Sequence, residues 1–152
     1  MGTLTQTPRV LLLDDDSSVV DALSGILASL GYKIVKNTDP FRAIEDLESN
    51  PKGIHLIITD HEMPGINGSE LVKRLRTLKI QIPVMLITGT IERVKDTTLF
   101  AAVFEKPFQL DEFIEACQKI VESEIARLNP SKKSSADAKE FPGKTALNKL
   151  LK

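Results

Sequence analysis

Five apolar runs of strand length alternate with helical patterns along this chain, and this alternation limits the fold more than any other feature. The runs lie within residues 9–16, 32–38, 54–60, 82–89 and 101–108. In the intervening residues 18–31, for example, apolar side chains recur every three or four positions, as on one side of an amphipathic helix. Strands that alternate with helices predict parallel β/α units with right-handed crossovers. The sequence therefore predicts an α/β protein.

The first and third strands are apolar on successive residues rather than on alternate ones, from Val10 to Leu13 and from Leu56 to Ile58. Strands with this pattern are covered on both faces, so helices are expected on both sides of the sheet. Local signals agree, since Asp39 followed by Pro40 predicts a helix N-cap with proline at the first helical position. The result is a doubly wound sheet that spans residues 9–128.

The remaining residues form a short lead, 1–8, and a basic tail, 129–152. The tail carries six lysines and two acids, so its net charge is +4. Because the net charge of the whole chain is −1, the first 128 residues have a net charge of −5. A mildly acidic body argues against direct DNA binding by the folded part. The tail is rich in Ser, Lys, Ala and Pro and is expected to be disordered.

Several classes of protein are excluded by what the sequence lacks. No apolar stretch approaches the roughly 18 residues of a membrane helix, and residues 1–10 lack the apolar core of a signal peptide, so a cytoplasmic location is expected. The single cysteine, Cys117, allows no internal disulfide framework and lies on an apolar stripe that predicts burial. The two histidines, His55 and His61, are too few for a zinc site without several carboxylates.

Polar residues follow four of the five predicted strands, at the edge where ligands bind in an open parallel sheet. They are Asp14, Asp15 and Asp16 after the first strand, Asp60 and Glu62 after the third, Thr88 after the fourth and Lys106 after the fifth. Clustered carboxylates stay ionised only beside a compensating cation, and Mg²⁺ with a nearby lysine is the simplest one. Asp60 could then be a metal ligand, a nucleophile toward phosphorus, or both, with Thr88 and Lys106 stabilising phosphoryl oxygens.

Each of these residues also has an ordinary structural interpretation. Asp16 alone predicts a helix N-cap, shared with Ser17, Thr88 is a common strand-end residue, and Lys106-Pro107 is a common loop dipeptide. It is the occurrence of all of them at the ends of the right strands that favours function over structure.

Four motifs, taken in chain order, resemble those of the receiver domain of two-component response regulators. They are VLLLDDD, IITDHEMPGINGSEL, PVMLITG and FEKPF. The resemblance runs from about Arg9 to Leu128. It implies a flavodoxin-like five-stranded parallel sheet with strand order 2-1-3-4-5. It also implies a phosphoacceptor switch rather than an enzyme, which acts through contact with a downstream protein partner.

The resemblance implies a role for each matching residue. Asp60 matches the residue that takes a phosphoryl group from a sensor histidine kinase or a phosphotransfer protein. Asp15, Asp60 and the backbone carbonyl of Glu62 match direct ligands of Mg²⁺, while Asp14 acts through water. Thr88 matches the switch hydroxyl and Lys106 the phosphate-pairing lysine, which Pro107 usually follows through a cis peptide bond.

The sequence departs from the family at two places. The usual aromatic residue three positions before the lysine is Val103, and Phe104 should point to the opposite face of the strand. Only 17 residues separate Thr88 from Lys106, which predicts a short, irregular or mobile fourth helix. This alters the face of helix 4, strand 5 and helix 5, through which family members commonly bind partners or form homodimers.

Glu62 and Thr90 match two variable positions that, in the family, tune how fast water removes the phosphoryl group. The carboxylate of Glu62 could orient water or could crowd the site with charge, and the sequence does not choose between these.

Two other functions remain open at this point. Asp14-Asp15-Asp16-Ser17 superficially fits the acidic loop of haloacid-dehalogenase phosphatases, with Asp14 as nucleophile, although this leaves ITDHEMPG without a purpose. A pseudo-receiver, a binding module whose switch has decayed, is the other alternative.

Overall fold

The structure is a computed structural model, and it describes residues 7–51 and 53–129. Its main sheet has five parallel strands in the order β2-β1-β3-β6-β7. The strands in chain order are β1 (Arg9–Leu13), β2 (Lys33–Asn37), β3 (Leu56–Asp60), β4 (Glu62–Met63), β5 (Ile66–Asn67), β6 (Val84–Thr88) and β7 (Ala102–Glu105). Because β4 and β5 pair only with each other, the main sheet has the predicted order 2-1-3-4-5.

Helices cover both faces of the sheet, as predicted. They are α1 (Ser17–Ala28), α2 (Pro40–Ser49), α3 (Gly68–Thr77) and α4 (Leu110–Leu128). Side chains of α1 and α4 share one apolar cluster with β1, β3, β6 and β7, and side chains of α2 and α3 share the other. The alternate residues Val103 and Phe104 of β7 contribute to opposite clusters, which confirms the prediction for this pair.

The N-termini of the first three helices are fixed by side chains that the sequence provides locally. Asp16 accepts a hydrogen bond from the backbone of Ser18, and Asp39 does the same for Phe41. Asn67 and Glu70 form a reciprocal capping box at α3. The loops that precede these helices are therefore held in place beside the ends of β1, β2 and β3.

The connection between β6 and β7 contains no α-helix. Two 3-10 helices, Ile91–Arg93 and Thr97–Leu99, stand in its place, and Val94 and Phe100 from this connection are buried against the α2/α3 side of the sheet. The prediction of a short or irregular fourth helix is confirmed. The physical reason is the short connection, since 3-10 turns rise further per residue than an α-helix and can span the same distance with fewer residues.

Some predictions lie outside the described residues, including those for residues 1–6 and for the basic tail from residue 130 onward. Within residues 7–51 and 53–129, no helix combines the length and the hydropathy that a membrane span requires.

Candidate functional site

The register of the sheet brings the predicted site residues to one edge. Leu13 of β1 lies beside Thr59 of β3, so Asp14 and Asp60 follow at the same level. Farther along the sheet, Thr88 of β6 pairs with Glu105, the last residue of β7, so Lys106 lies directly beyond the end of β7. The parallel topology therefore collects side chains from four separate segments at the carboxyl ends of their strands.

Three carboxylates lie together at this edge. One oxygen from each of Asp14, Asp15 and Asp60 lies within 4.8 Å of the other two, which is close enough for a shared metal ion. Asp14 is only 6% exposed, and its Oδ1 accepts a hydrogen bond of 2.9 Å from the backbone N–H of Asp16. Its other oxygen lies 3.8 Å from the ammonium of Lys106. One lysine thus faces three acids.

Burial makes the charged form of two of these acids unfavourable. It raises the pKa of Asp14 to about 6, against the hydrogen bond from the backbone of Asp16, and the nearby charge of Asp60 adds to the increase. Burial also raises the pKa of Asp60, while Lys106 and the hydrogen bond from His61 oppose that increase. The arrangement has more negative charge than Lys106 compensates, so a divalent cation would relieve it.

The loop after Asp60 is shaped by close backbone packing. Asp60 Oδ1 accepts a hydrogen bond of 2.8 Å from the N–H of His61, and the carbonyl of His61 accepts one of 2.8 Å from Gly68. A Cβ at Gly68 would lie 3.2 Å from the carbonyl oxygen of Asp60 and 2.7 Å from Cδ1 of Leu86, so a side chain there would require both neighbours to shift. Gly65 has a φ of +85°, a conformation that glycine adopts readily.

The carboxylate of Glu62 has a partner that the sequence did not suggest. Its Oε2 lies 2.8 Å from Nη1 of Arg93, in the first 3-10 helix of the β6–β7 connection, and accepts a longer contact of 3.5 Å from the hydroxyl of Thr90. The hydrogen bond from Arg93 lowers the pKa of Glu62. Arg93 therefore offsets part of the charge of Glu62, which still contributes to the raised pKa of Asp60.

Thr88 and Lys106 complete the edge. Thr88 is buried, and its Oγ1 accepts a hydrogen bond of 3.0 Å from the backbone N–H of Thr90. The backbone N–H of Lys106 donates to the carbonyl of Thr88 across 2.8 Å, and the peptide bond between Lys106 and Pro107 is cis, as expected. The backbones of Thr88 and Lys106 are thus held next to each other, so both side chains start from the same edge of the sheet.

Two residues that sequence reasoning missed connect the β6–β7 segment to the site. One is Arg93, and the other is Glu105, whose carboxylate accepts a hydrogen bond of 3.2 Å from the N–H of Ile91. Arg93 belongs to no recognisable motif or apolar period, and Glu105 lies within FEKPF but has no role that the motif indicates. The sequence gives no signal for the contact of Arg93 with Glu62, because an exposed carboxylate is solvated and needs no partner from another segment.

A comparison with known families identifies the chain. The family model described as the response regulator receiver domain matches residues 10–118. This match includes the acidic cluster, Asp60, Thr88 and Lys106, and it covers more than half of the chain. The chain belongs to the receiver domains of two-component response regulators, a family of signalling modules whose members interact with histidine kinases and phosphotransfer proteins.

Individual relatives agree with this assignment. The chain is similar to the transcriptional regulatory protein FixJ of Bradyrhizobium diazoefficiens, 29% identical over 94% of this chain and 69% of FixJ. It is also similar to the response regulator receiver protein CpdR of Brucella abortus, 29% identical over 74% of this chain and 96% of CpdR. Other curated relatives are longer, and the chain spans 50% of the cell cycle regulator CtrA of Caulobacter vibrioides.

Among solved structures, the chain resembles the response regulator TrrA from Thermotoga maritima, determined in complex with Mg²⁺ and BeF. The TM-score is 0.68 with 28% identity, and the match covers 75% of this chain and 99% of TrrA. These relatives favour neither the phosphatase nor the pseudo-receiver alternative.

Proposed function

We propose that Asp60 is the phosphoacceptor of this receiver domain. One observation carries the proposal. The carboxylates of Asp14, Asp15 and Asp60 lie together beside Lys106, at the carboxyl edge of the sheet of a receiver domain. Asp60 ends β3, its Oδ1 is fixed by the N–H of His61, and its other oxygen has no assigned hydrogen bond among the described residues. That oxygen is the candidate nucleophile.

The residues fit Mg²⁺. Asp15 and Asp60 would bind it directly with the backbone carbonyl of Glu62, and Asp14 would act through water. Three carboxylates form a hard, anionic donor set of the kind that Mg²⁺ prefers, and among the described residues a single lysine, Lys106, forms an ion pair with them. When bound, the ion would neutralise charge on the phosphoryl oxygens.

Transfer requires that a carboxylate oxygen of Asp60 attacks the phosphorus of a phosphohistidine. The new O–P bond forms as the P–N bond breaks, and the imidazole leaves with the electron pair and takes up a proton. Lys106 would pair with one phosphoryl oxygen, and the hydroxyl of Thr88 would donate to another, which stabilises the charge of the transferring group. The protein keeps the phosphoryl group as a signal and acts as a switch instead of a turnover catalyst.

The donor class is a sensor histidine kinase or a phosphotransfer protein. The downstream partner is a protein, with a second copy of this chain as one candidate, and the surface that includes the β6–β7 connection, β7 and α4 is the proposed contact face. The acidic body supports a protein partner over direct binding to DNA.

Labelling with a small phosphodonor tests the assignment. The protein is incubated with acetyl phosphate and Mg²⁺ and followed by intact mass, beside Asp60→Asn, Asp14→Asn and a chelator control. We expect a single Mg²⁺-dependent phosphoryl adduct that is absent in Asp60→Asn and forms more slowly in Asp14→Asn. An adduct that survives in Asp60→Asn and disappears in Asp14→Asn would instead support the phosphatase chemistry.

A further inference from the structure

The first 3-10 helix of the β6–β7 connection, Ile91–Arg93, is attached to the site at three points. The N–H of Thr90, just before it, donates to the hydroxyl of Thr88, and the N–H of Ile91 donates to the carboxylate of Glu105. Arg93 forms the 2.8 Å ion pair with Glu62. The segment is therefore connected to the β3 loop, to β6 and to β7 at once.

The ion pair lies close to the proposed acceptor. Glu62 follows Asp60 by two residues, so their Cα atoms are separated by about 7 Å at most. Arg93 approaches this loop from a different strand connection, and its guanidinium has donors on more than one nitrogen. A phosphoryl group on Asp60 would place further anionic oxygens on the loop that Arg93 already contacts.

The existing pair is easily exchanged. The side chains of Arg93 and Glu62 are 66% and 50% exposed, so water screens their attraction. A phosphoryl group carries more charge than a carboxylate and offers three acceptor oxygens, which a guanidinium can bind in a bidentate manner. Arg93 would therefore gain from the exchange, while Glu62 is exposed enough to be solvated when released.

The chain also lacks the side chain that would otherwise respond from β7. Val103 is 1% exposed within the apolar cluster on the α2/α3 side, and it has neither a polar group nor the size of an aromatic ring. β7 therefore offers no polar side chain at position 103, and Arg93 provides a charged contact from the β6–β7 connection in addition to the hydrogen bond between Thr90 and Thr88.

We propose that Arg93 is a phosphoryl-binding residue that exchanges the Glu62 carboxylate for the phosphoryl oxygens on Asp60 and thereby moves the Ile91–Arg93 segment. This inference rests on the proposed function of Asp60 and adds the residue that relays its phosphorylation. The moving segment lies on the surface proposed to contact the downstream partner.

The test uses the full chain with Mg²⁺ and beryllofluoride, a phosphoryl mimic, and follows the backbone amides and the Arg93 side-chain Nε–Hε by NMR. In the unchanged protein we expect shifts at Asp60 and Thr88 together with a shift of the Arg93 Nε–Hε. In Arg93→Gln, the shifts at Asp60 and Thr88 should persist, those of residues 91–93 should be lost, and beryllofluoride affinity should fall about fivefold, as for one exposed ionic contact.

Three further variants make the result specific. Glu62→Gln removes the resting pair without removing the guanidinium, so the beryllofluoride-induced shift of Arg93 should remain. Lys33→Gln removes one exposed positive charge at the opposite end of the sheet and should leave affinity and shifts unchanged. Arg93→Lys should restore part of the affinity, since a lysine retains the charge but not the bidentate geometry.

The outcomes separate the two proposals. Two results would overturn the role of Arg93 and leave Asp60 as acceptor. One is a shift at Asp60 and Thr88 without any change at Arg93, and the other is an Arg93→Gln variant that keeps the shifts of residues 91–93. If beryllofluoride and acetyl phosphate leave the unchanged protein unmodified, the function of Asp60 fails, and the role of Arg93 fails with it.

Discussion

Buried ionisable side chains lie at both ends of the sheet. The two ends differ in how far other groups of the protein compensate the charge of these side chains. At the amino end Glu124 is 6% exposed and accepts two hydrogen bonds from Arg127, of 2.9 and 2.7 Å. Nearby, Nδ1 of His55 accepts from the N–H of Arg9, and Arg76 donates to the carbonyl of Ile80. The ionisable groups at this end therefore contribute to a stable fold.

At the carboxyl end the balance is different. Asp14 and Asp60 lie close together with Asp15, and Lys106 is the one ammonium that forms an ion pair with this cluster in the described part of the chain. Negative charge that the protein itself does not neutralise is costly, and a bound divalent cation would offset that cost. The contrast teaches that uncompensated charge, more than burial alone, distinguishes the functional end.

Mg²⁺ should produce the largest difference between the two ends. Because the ion binds the folded carboxyl cluster, a concentration 100-fold above its dissociation constant should raise the free energy of unfolding by roughly 3 kcal/mol. Urea unfolding with and without Mg²⁺ measures this, and a chelator should reverse it. Asp15→Asn should remove most of the effect, whereas Asp46→Asn, an exposed acid on α2, should leave it intact.

Asp14→Asn should stabilise the metal-free protein at pH 7 by roughly 1 to 3 kcal/mol, because the amide avoids the cost of a buried carboxylate. Since the pKa of Asp14 is raised to about 6, the folded protein retains a proton between about pH 4 and 6 that the unfolded chain has lost. The stability of the unchanged protein should therefore fall as pH rises through this window. In Asp14→Asn, the free energy of unfolding should change less with pH between about pH 4 and 6. An Asp14→Asn variant that is less stable than the wild-type protein at pH 7 would contradict a cost of burying the Asp14 carboxylate.

Glu124→Gln should act in the opposite direction. The substitution removes the negative charge that accepts two hydrogen bonds from Arg127. We therefore expect the free energy of unfolding to fall by roughly 1 to 2 kcal/mol at pH 7. Chemical unfolding of this variant beside Asp14→Asn compares the two ends directly. Equal signs for the two substitutions would show that the ends do not differ as described.

His55 adds a pH dependence at the amino end. Burial lowers the pKa of His55, so the unfolded chain takes up a proton at a higher pH than the folded protein does. Stability should therefore decrease as pH falls through about 6.5, opposite in sign to the contribution of Asp14. His55→Gln should lose this dependence while the contribution of Asp14 remains, which a series of unfolding curves from pH 7 to 5 can resolve.

The smallest effect is expected at the surface. Asp21 and Lys36 form an ion pair of 3.3 Å, with side chains 69% and 51% exposed. Asp21→Asn should change the free energy of unfolding by no more than about 0.5 kcal/mol, which sets the background for the other comparisons. A larger change would mean that charge substitutions anywhere in this acidic body alter stability.

These two ends also differ in how well the sequence predicts them. Asp14, Asp60, Thr88 and Lys106 could be placed together because each directly follows an apolar strand, and parallel topology brings strand ends to one edge. Asp16 and Asp39 were recognisable as caps because capping is local. The fold and most of the site therefore follow from local patterns and one topological rule.

What could not be predicted depends on contacts between distant segments. Glu62 and Arg93 are 31 residues apart, and the bond between the backbone of Arg9 and His55 spans 46. No local period encodes such pairs, and the 3-10 geometry that brings Arg93 to Glu62 arises from the shortened β6–β7 connection. Glu124 is also hard to anticipate, since an acid on the buried side of α4 conflicts with its apolar stripe.

The most direct measurement of the central claim identifies the residue that carries the phosphoryl group. The protein is labelled with acetyl phosphate and Mg²⁺, and the acyl phosphate is reduced with borohydride, which converts the modified aspartate to homoserine. Peptide mass mapping then locates the homoserine. Our account predicts homoserine at position 60 and nowhere else; homoserine at position 14 or 15, with residue 60 unchanged, would contradict it.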